Sequence, residues 1–257
     1  MEDKIIRDTL TKLRKELPEN EKEDYFDIHK DRYMAVLKLI DFDGKKPKIL
    51  DVGIYPGHIS LCLNKLGFQV FGISKGKGTS LGDSLINKFD NLRKKGIILK
   101  KCDIEKHKFP FKDSTFDYVL FSETIEHLSS HPKIVLKEIF RVLKKDGKLI
   151  LTAPNIAYLP NRIRLLFGKP ISDLENFYRT IPYSGHKREF TMKEIEYLIK
   201  EDFIILKKNF IMCQWGGDKT QGFIRYWLKT LLLIPVFFKK SFRSTIIILA
   251  QKIIKNT

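Results

Sequence analysis

Cysteine is scarce in this chain. There are three, Cys62, Cys102 and Cys213, an odd number with no metal-ligand spacing. That argues against a disulfide framework and a thiolate metal site, so no metal is expected and the thiols read as buried groups in a reducing, cytoplasmic compartment. The amino terminus, Met1-Glu-Asp-Lys4, is charged and is not expected to act as a secretory signal. A run of the ~20 apolar residues that a spanning helix needs is missing too. The segment that comes nearest in character, residues 223–240, holds an uncharged run of only nine residues, Thr230 to Phe238, interrupted by Pro235. Acidic residues stop at Asp218, while eight Lys or Arg follow it. No 20–50-residue repeat, low-complexity tract or RNA-binding signature is visible.

What is present in excess is positive charge. The 257 residues carry a formal net charge of +17. Such a balance favours acidic partners: nucleic acid, a phosphorylated or carboxylated small molecule, or an anionic membrane surface. Many of these lysines alternate with glutamates, as in Glu21-Lys-Glu-Asp24 and Lys193-Glu-Ile-Glu196, which is also the pattern of solvated helix surfaces. Residues 223–240 are basic, aromatic and leucine-rich, so they fit either a helix lying on an anionic membrane or one packed against the protein.

The strongest local signal lies at residues 48–66. Ile49 to Val52 reads as a buried parallel strand, Gly53, Pro56 and Gly57 as a tight turn, and Ile59, Leu61, Leu63 and Leu66 as the start of a helix. Strand, glycine turn and helix make a nucleotide-binding unit, because glycine lets backbone approach a ligand and the helix start offers free N–H groups. A dinucleotide fingerprint would place glycine at 53, 55 and 58; Tyr55 and His58 break it.

Strands follow at Gln69–Ile73, Ile97–Lys100, Phe116–Phe121, Lys148–Thr152, Phe203–Ile211 and Ser244–Ala250, with a helix over residues 134–143 that ends at Lys145-Asp146-Gly147. Thr191 and Glu194 form a capping box at the start of another helix. Strands alternating with helices predict an α/β fold, a doubly wound, mostly parallel Rossmann-like sheet.

Asp51-x-Gly53-x-Tyr55-x-Gly57, followed in order by Phe109-Pro-Phe-Lys-Asp113, Phe116-Asp-Tyr-Val119, Glu126-His-Leu128 and Glu138-Ile-Phe-Arg-Val-Leu-Lys-Lys-Asp-Gly147, resembles class I S-adenosylmethionine-dependent methyltransferases of the type 11/23 kind. The resemblance is strong over residues 45–155 and looser over 185–212. It implies a seven-stranded sheet whose last strand is antiparallel, a helical cap at 1–45, a methyltransferase domain at 46–257, an acceptor lid at 155–190 inserted after strand five, and a basic apolar insertion at 219–243.

The same resemblance implies S-adenosylmethionine as cofactor. It assigns Asp51, Gly53, Tyr55 and Gly57 to the turn around it, Ser74 to the ribose, Asp103 and Ile104 to the adenine, and Ser122 and Glu123 to the methionine end. Two positions depart from the pattern. Tyr55 replaces a glycine, so its side chain must turn away or cover the ligand. Ser74 replaces an acid that would bind both ribose hydroxyls. An oxygen acceptor must lose a proton as the methyl arrives, which makes His127 and His186 the candidate catalytic bases. Tyr158, Arg162, Tyr183 and Arg188, with Arg164, Arg179 and Tyr178, are candidate acceptor contacts. His58 is expected to face the cofactor carboxylate or solvent, and His29, His107 and His131 the surface. A small-molecule, glycan or lipid-linked acceptor, methylated on oxygen, is the expectation. An RNA methyltransferase, less favoured, and a catalytically silent binding module stand beside it.

Overall fold

The computed structural model describes residues 3–19, 25–41, 46–75, 89–171, 185–213 and 238–253. The chain builds one sheet of seven strands in the order β3-β2-β1-β4-β5-β7-β6. The strands are β1 (Lys48–Val52), β2 (Gln69–Ser74), β3 (Ile98–Lys101), β4 (Phe116–Ser122), β5 (Leu143–Pro154), β6 (Phe203–Ile211) and β7 (Thr245–Lys252). The first five pair in parallel, and β7 lies antiparallel between β5 and β6. The helices used below are α1 (Asp3–Glu16), α2 (Asp27–Leu37), α3 (His58–Lys65), α4 (Lys133–Val142), α5 (Leu159–Leu166) and α6 (Met192–Ile199).

Two apolar layers cover the sheet. Leu50, Val52, Val119 and Phe121 face α4 and α6, which bury Val135, Leu136, Ile139, Val142, Ile195 and Ile199. Ile49, Tyr118, Leu120, Ile247 and Leu249 face the other way, onto Ile6, Leu10 and Leu13 of α1, Val36 and Leu37 of α2, and Ile59 and Leu63 of α3. Along β7 the two sets alternate residue by residue, as a strand covered on both sides requires. Each Leu or Ile so buried contributes roughly 1.5–3 kcal/mol. Helices α1 and α2 therefore share one core with the sheet.

The expected strand and helix positions agree with the structure apart from their ends. One differs in kind. Helix α4 stops at Val142 instead of continuing to Lys145, and β5 starts at Leu143 instead of Lys148. Leu143 is fully buried and pairs with Phe116; Asp146 then takes a positive φ of 62° and the register resumes at Tyr118 and Lys148. A long-range pairing overrides the helical pattern here. At α6 the capping box forms as the sequence predicts: the Thr191 N–H donates to Glu194 Oε2 at 2.7 Å and the Glu194 N–H to Thr191 Oγ1 at 3.3 Å.

Much of the 155–190 insertion and nearly all of residues 223–240 lie outside the described residues, including Tyr178, Arg179 and Tyr183. Among the described residues no helix is long and apolar enough to cross a membrane.

Candidate functional site

The C-terminal ends of β1, β2 and β4 meet on one side of the sheet, where α2 leans over them. Gly53 and Gly57 hold the turn after β1 with φ of 81° and 91°. A Cβ at Gly53 would sit 2.5 Å from the Thr124 Oγ1, and one at Gly57 would sit 2.7 Å from the Leu92 side chain. Both glycines are thus demanded by packing and by a backbone that L-residues rarely adopt. Thr124 was not singled out by sequence. Its buried hydroxyl reaches the Val52 and Ser122 carbonyls at 3.2 and 3.0 Å and so ties the β1 and β4 ends together. The Tyr55 side chain is 39 % exposed, turned outward from the tight backbone.

Asp51 is buried and accepts a 2.6 Å hydrogen bond from Ser60 in the first turn of α3. Burial pushes its carboxyl up to about 6, opposed by the Ser60 hydrogen bond and the charge of Arg32. Its direct contact is therefore with α3, locking that helix start onto the strand end.

At the β2 end, Ser74 is half-buried and its carbonyl accepts from the Cys102 N–H at 2.9 Å. Asp103 accepts from the Glu105 N–H at 3.2 Å and lies 3.3 Å from Lys75 Nζ. Burial raises the Asp103 carboxyl, but the Lys75 contact and the Glu105 N–H outweigh it and hold the group below its ordinary range. Ile104 packs against the core beside it.

Past β4, Ser122 shares a 2.7 Å hydrogen bond with Thr152. Glu123 takes a positive φ of 48° and places Oε2 3.0 Å from Arg32 Nη1. Arg32 is only 4 % exposed. The Tyr33 ring lies 5.5 Å from its guanidinium, and the Tyr25 hydroxyl also contacts it. Among the described residues Arg32 Nε and Glu123 Oε1 have no hydrogen-bond partner, although both are buried. Two such buried atoms are costly unless a ligand meets them. Sequence reasoning missed Arg32. The available signal was a cation on the face of α2 that carries His29 and Val36, just after Tyr25.

Two histidine expectations are corrected. His58 is buried, packed edge-on against Phe26 and Tyr33, with the Tyr33 hydroxyl 3.3 Å from Nδ1. His29 is half-buried, and burial together with the nearby Arg32 charge pushes it down to about 3. The aromatic nest of α2 removes both from water. His107 and His131 are exposed, as expected.

His127 and His186 do come together: their rings are 5.1 Å apart, and buried Glu126 lies beneath them. Both follow from one anchor, since the Lys187 and Arg188 N–H groups donate to the Glu126 carbonyl at 2.8 and 3.2 Å. The arginines are engaged within the protein. Arg188 pairs with Glu194 at 2.7 Å above Phe190, and Arg162 donates to the Ala157 carbonyl at 2.6 Å beside Phe242. Tyr158 is buried, which pushes its hydroxyl up to about 12. A separate open groove, lined by Asp41, Asp117, Lys144 and Lys148, lies at the opposite ends of the strands and is occupied by the protein's own ion pairs.

Residues 50–151 match the family described as methyltransferase domain. The chain is 32 % identical over 129 residues to the ubiquinone biosynthesis O-methyltransferase, mitochondrial, of Bos taurus, covering 49 % of this chain and 34 % of that protein. It is 33 % identical over 96 residues to the ubiquinone/menaquinone biosynthesis C-methyltransferase of Laribacter hongkongensis, covering 37 % of this chain and 36 % of that one. The chain thus spans about a third of the length of these curated relatives. In fold it is similar to a SAM-dependent methyltransferase, possible histamine N-methyltransferase, from Thermotoga maritima, with TM-score 0.59, 20 % identity and 91 % and 96 % of the two chains covered. A SAM-dependent methyltransferase from Archaeoglobus fulgidus gives TM-score 0.58 at 16 % identity, over 87 % and 97 %.

Proposed function

From the match of residues 50–151 to a methyltransferase domain, we propose that this chain is a class I, S-adenosylmethionine-dependent methyltransferase that methylates a small-molecule, sugar-bearing or lipid-linked acceptor, on oxygen. The carrying observation is the Arg32–Glu123 pair, whose buried Nε and Oε1 atoms are left unpartnered among the described residues. An amino acid's carboxylate and ammonium match those two atoms in sign and number, so the site fits the methionine end of the cofactor.

The cofactor supplies an electrophilic methyl on a sulfonium. Everything else falls to the protein. Arg32 takes the carboxylate and Glu123 the ammonium. The α3 start presents backbone N–H groups, whereas those of Gly53, Ile54 and Tyr55 donate to the Ile73 and Gly53 carbonyls. Asp103 and Ile104 hold the adenine, with Lys75 close enough to compete for Asp103, and Ser74 gives the ribose one neutral hydrogen bond. His127 and His186, paired over Glu126, receive the acceptor hydroxyl in this reading. Holding it in line with the methyl is where most of the acceleration arises. Arg188, exposed at the lid, meets an anionic acceptor by exchanging its Glu194 partner.

Oxygen is favoured over carbon because two imidazoles at the acceptor end suit a group that sheds a proton. The two curated relatives carry one name of each kind, so they do not choose between them. The net charge of +17 also suits a phosphorylated acceptor or an anionic membrane near residues 223–240, in a cytoplasmic setting. Calorimetry with S-adenosylmethionine, then a transfer screen on quinol, sugar, lipid and RNA pools using labelled methyl, tests the reading. Heat without transfer to any pool would favour a silent binding module; steep salt-dependent transfer to RNA would replace the acceptor class.

A further inference from the structure

Glu126, His127 and His186 converge on one point; the proposed methyl transfer uses the two imidazoles but gives the buried Glu126 carboxylate no part. Glu126 Oε1 lies 3.9 Å from His127 Nε2 and 4.0 Å from His186 Nε2, and one ligand atom from each residue falls within 4.8 Å of the others. Glu126 is 0 % exposed, and among the described residues neither carboxylate oxygen has a hydrogen-bond partner. A dry, unpartnered carboxylate under two imidazoles is expensive unless a cation or a proton joins them.

The imidazoles are held from behind. His127 Nδ1 is 3.2 Å from the Gly185 carbonyl, which only accepts, so Nδ1 carries the proton. His186 Nδ1 donates to Glu189 Oε1 at 2.9 Å, and that carboxylate likewise accepts. In a neutral ring with Nδ1 protonated, Nε2 bears the lone pair, and in both rings Nε2 is the nitrogen turned to Glu126. A backbone carbonyl behind His127 and a carboxylate behind His186 are the outer-shell groups by which metal-bound histidines are oriented. The segment that carries His186 is fixed to the same residue, because the Lys187 and Arg188 N–H groups donate to the Glu126 carbonyl.

The geometry points to a site for one divalent transition-metal ion of the zinc class, bound by Glu126, His127 and His186. Bonds of about 2.0–2.2 Å require these atoms to close by roughly 1 Å, a side-chain adjustment. Three protein ligands leave a position open for water or an oxygen of a bound molecule. With the ion present the two Nε2 atoms are ligands and cannot act as bases; a hydroxyl held by the ion would release its proton to water. Metal binding itself does not rest on the methyl-transfer reading.

The test uses the full chain, freed of metal with a chelator and dialysed. Titration with Zn2+ by calorimetry, and with Co2+ followed by visible absorption, is expected to show one site per chain. His186→Ala, at an exposed position, and Glu126→Gln should each weaken that site by more than tenfold, and Glu189→Gln by about tenfold through loss of ring orientation. Thermal melts confirm that each variant folds, and S-adenosylmethionine binding is measured separately. Absence of a stoichiometric site in the folded wild type, or Zn2+ affinity unchanged in folded His186→Ala, would overturn the proposal while leaving the cofactor result untouched.

Discussion

The guanidinium of Arg32, on α2, lies 3.0 Å from the carboxylate of Glu123, just past β4. This contact joins the amino-terminal helices to the strand end that resembles the methionine-binding edge of class I methyltransferases. It ties α2 directly to the end of β4.

Arg32→Met should abolish S-adenosylmethionine binding and cost about 3–5 kcal/mol of stability, since it strands a buried carboxylate. Arg32→Met combined with Glu123→Leu should regain much of the stability and none of the binding. Urea unfolding with parallel calorimetry separates the two effects. A single variant that still binds the cofactor normally would remove Arg32 from the site.

Gly53→Ala should destabilise the fold by at least the ~1–2 kcal/mol of a left-handed L-residue, with a further loss from the 2.5 Å approach to the Thr124 hydroxyl. Adding Thr124→Ala should relieve the steric part, so the double variant is less damaged than the sum. Simple additivity in a double-mutant cycle would mean that the clash is absorbed elsewhere.

Two buried groups should pull the pH profile in opposite directions. Asp51 titrates near 6 in the folded chain against an ordinary 3.8, so the folded state holds the extra proton and stability falls as pH rises between those values. The shift corresponds to about 3 kcal/mol. His29 is pushed down to about 3 from 6.5, so the unfolded state holds the extra proton and stability falls as pH drops through that window. Its contribution is at most about 4–5 kcal/mol. Unfolding free energies at pH 4 to 7 for Asp51→Asn and His29→Gln check this. Relative to wild type, the first should lose the decline toward pH 6, and the second should lose the decline toward pH 4.

Ser74→Asp should tighten S-adenosylmethionine binding roughly tenfold by replacing a neutral ribose contact with a charge-assisted one. Lys75 and Asp103 flank the position, so the new carboxylate has a cation within reach but also a like charge nearby. An unchanged dissociation constant would show that the ribose is held by other groups.

Local chemistry carried far. The apolar run at Ile49–Val52, the turn residues Gly53 and Gly57, and the Thr191–Glu194 box were all readable, because strand period, positive φ and capping depend on neighbours in the chain. The limits of β6, Phe203–Ile211, were legible for the same reason. The early start of β5 was not, because it depends on Leu143 pairing with Phe116.

The amino-acid order by itself determined the strand sequence, the glycine turn and the capping box of α6. Only the tertiary structure decided the environments of the site residues. It buried His58 and Arg32 in the aromatic nest of α2, set Thr124 against Gly53, and brought His186 over Glu126 and His127 through backbone bonds to a single carbonyl. Burial and charge proximity set what an ionisable group does, and both are properties of residues distant in the chain that no local pattern encodes.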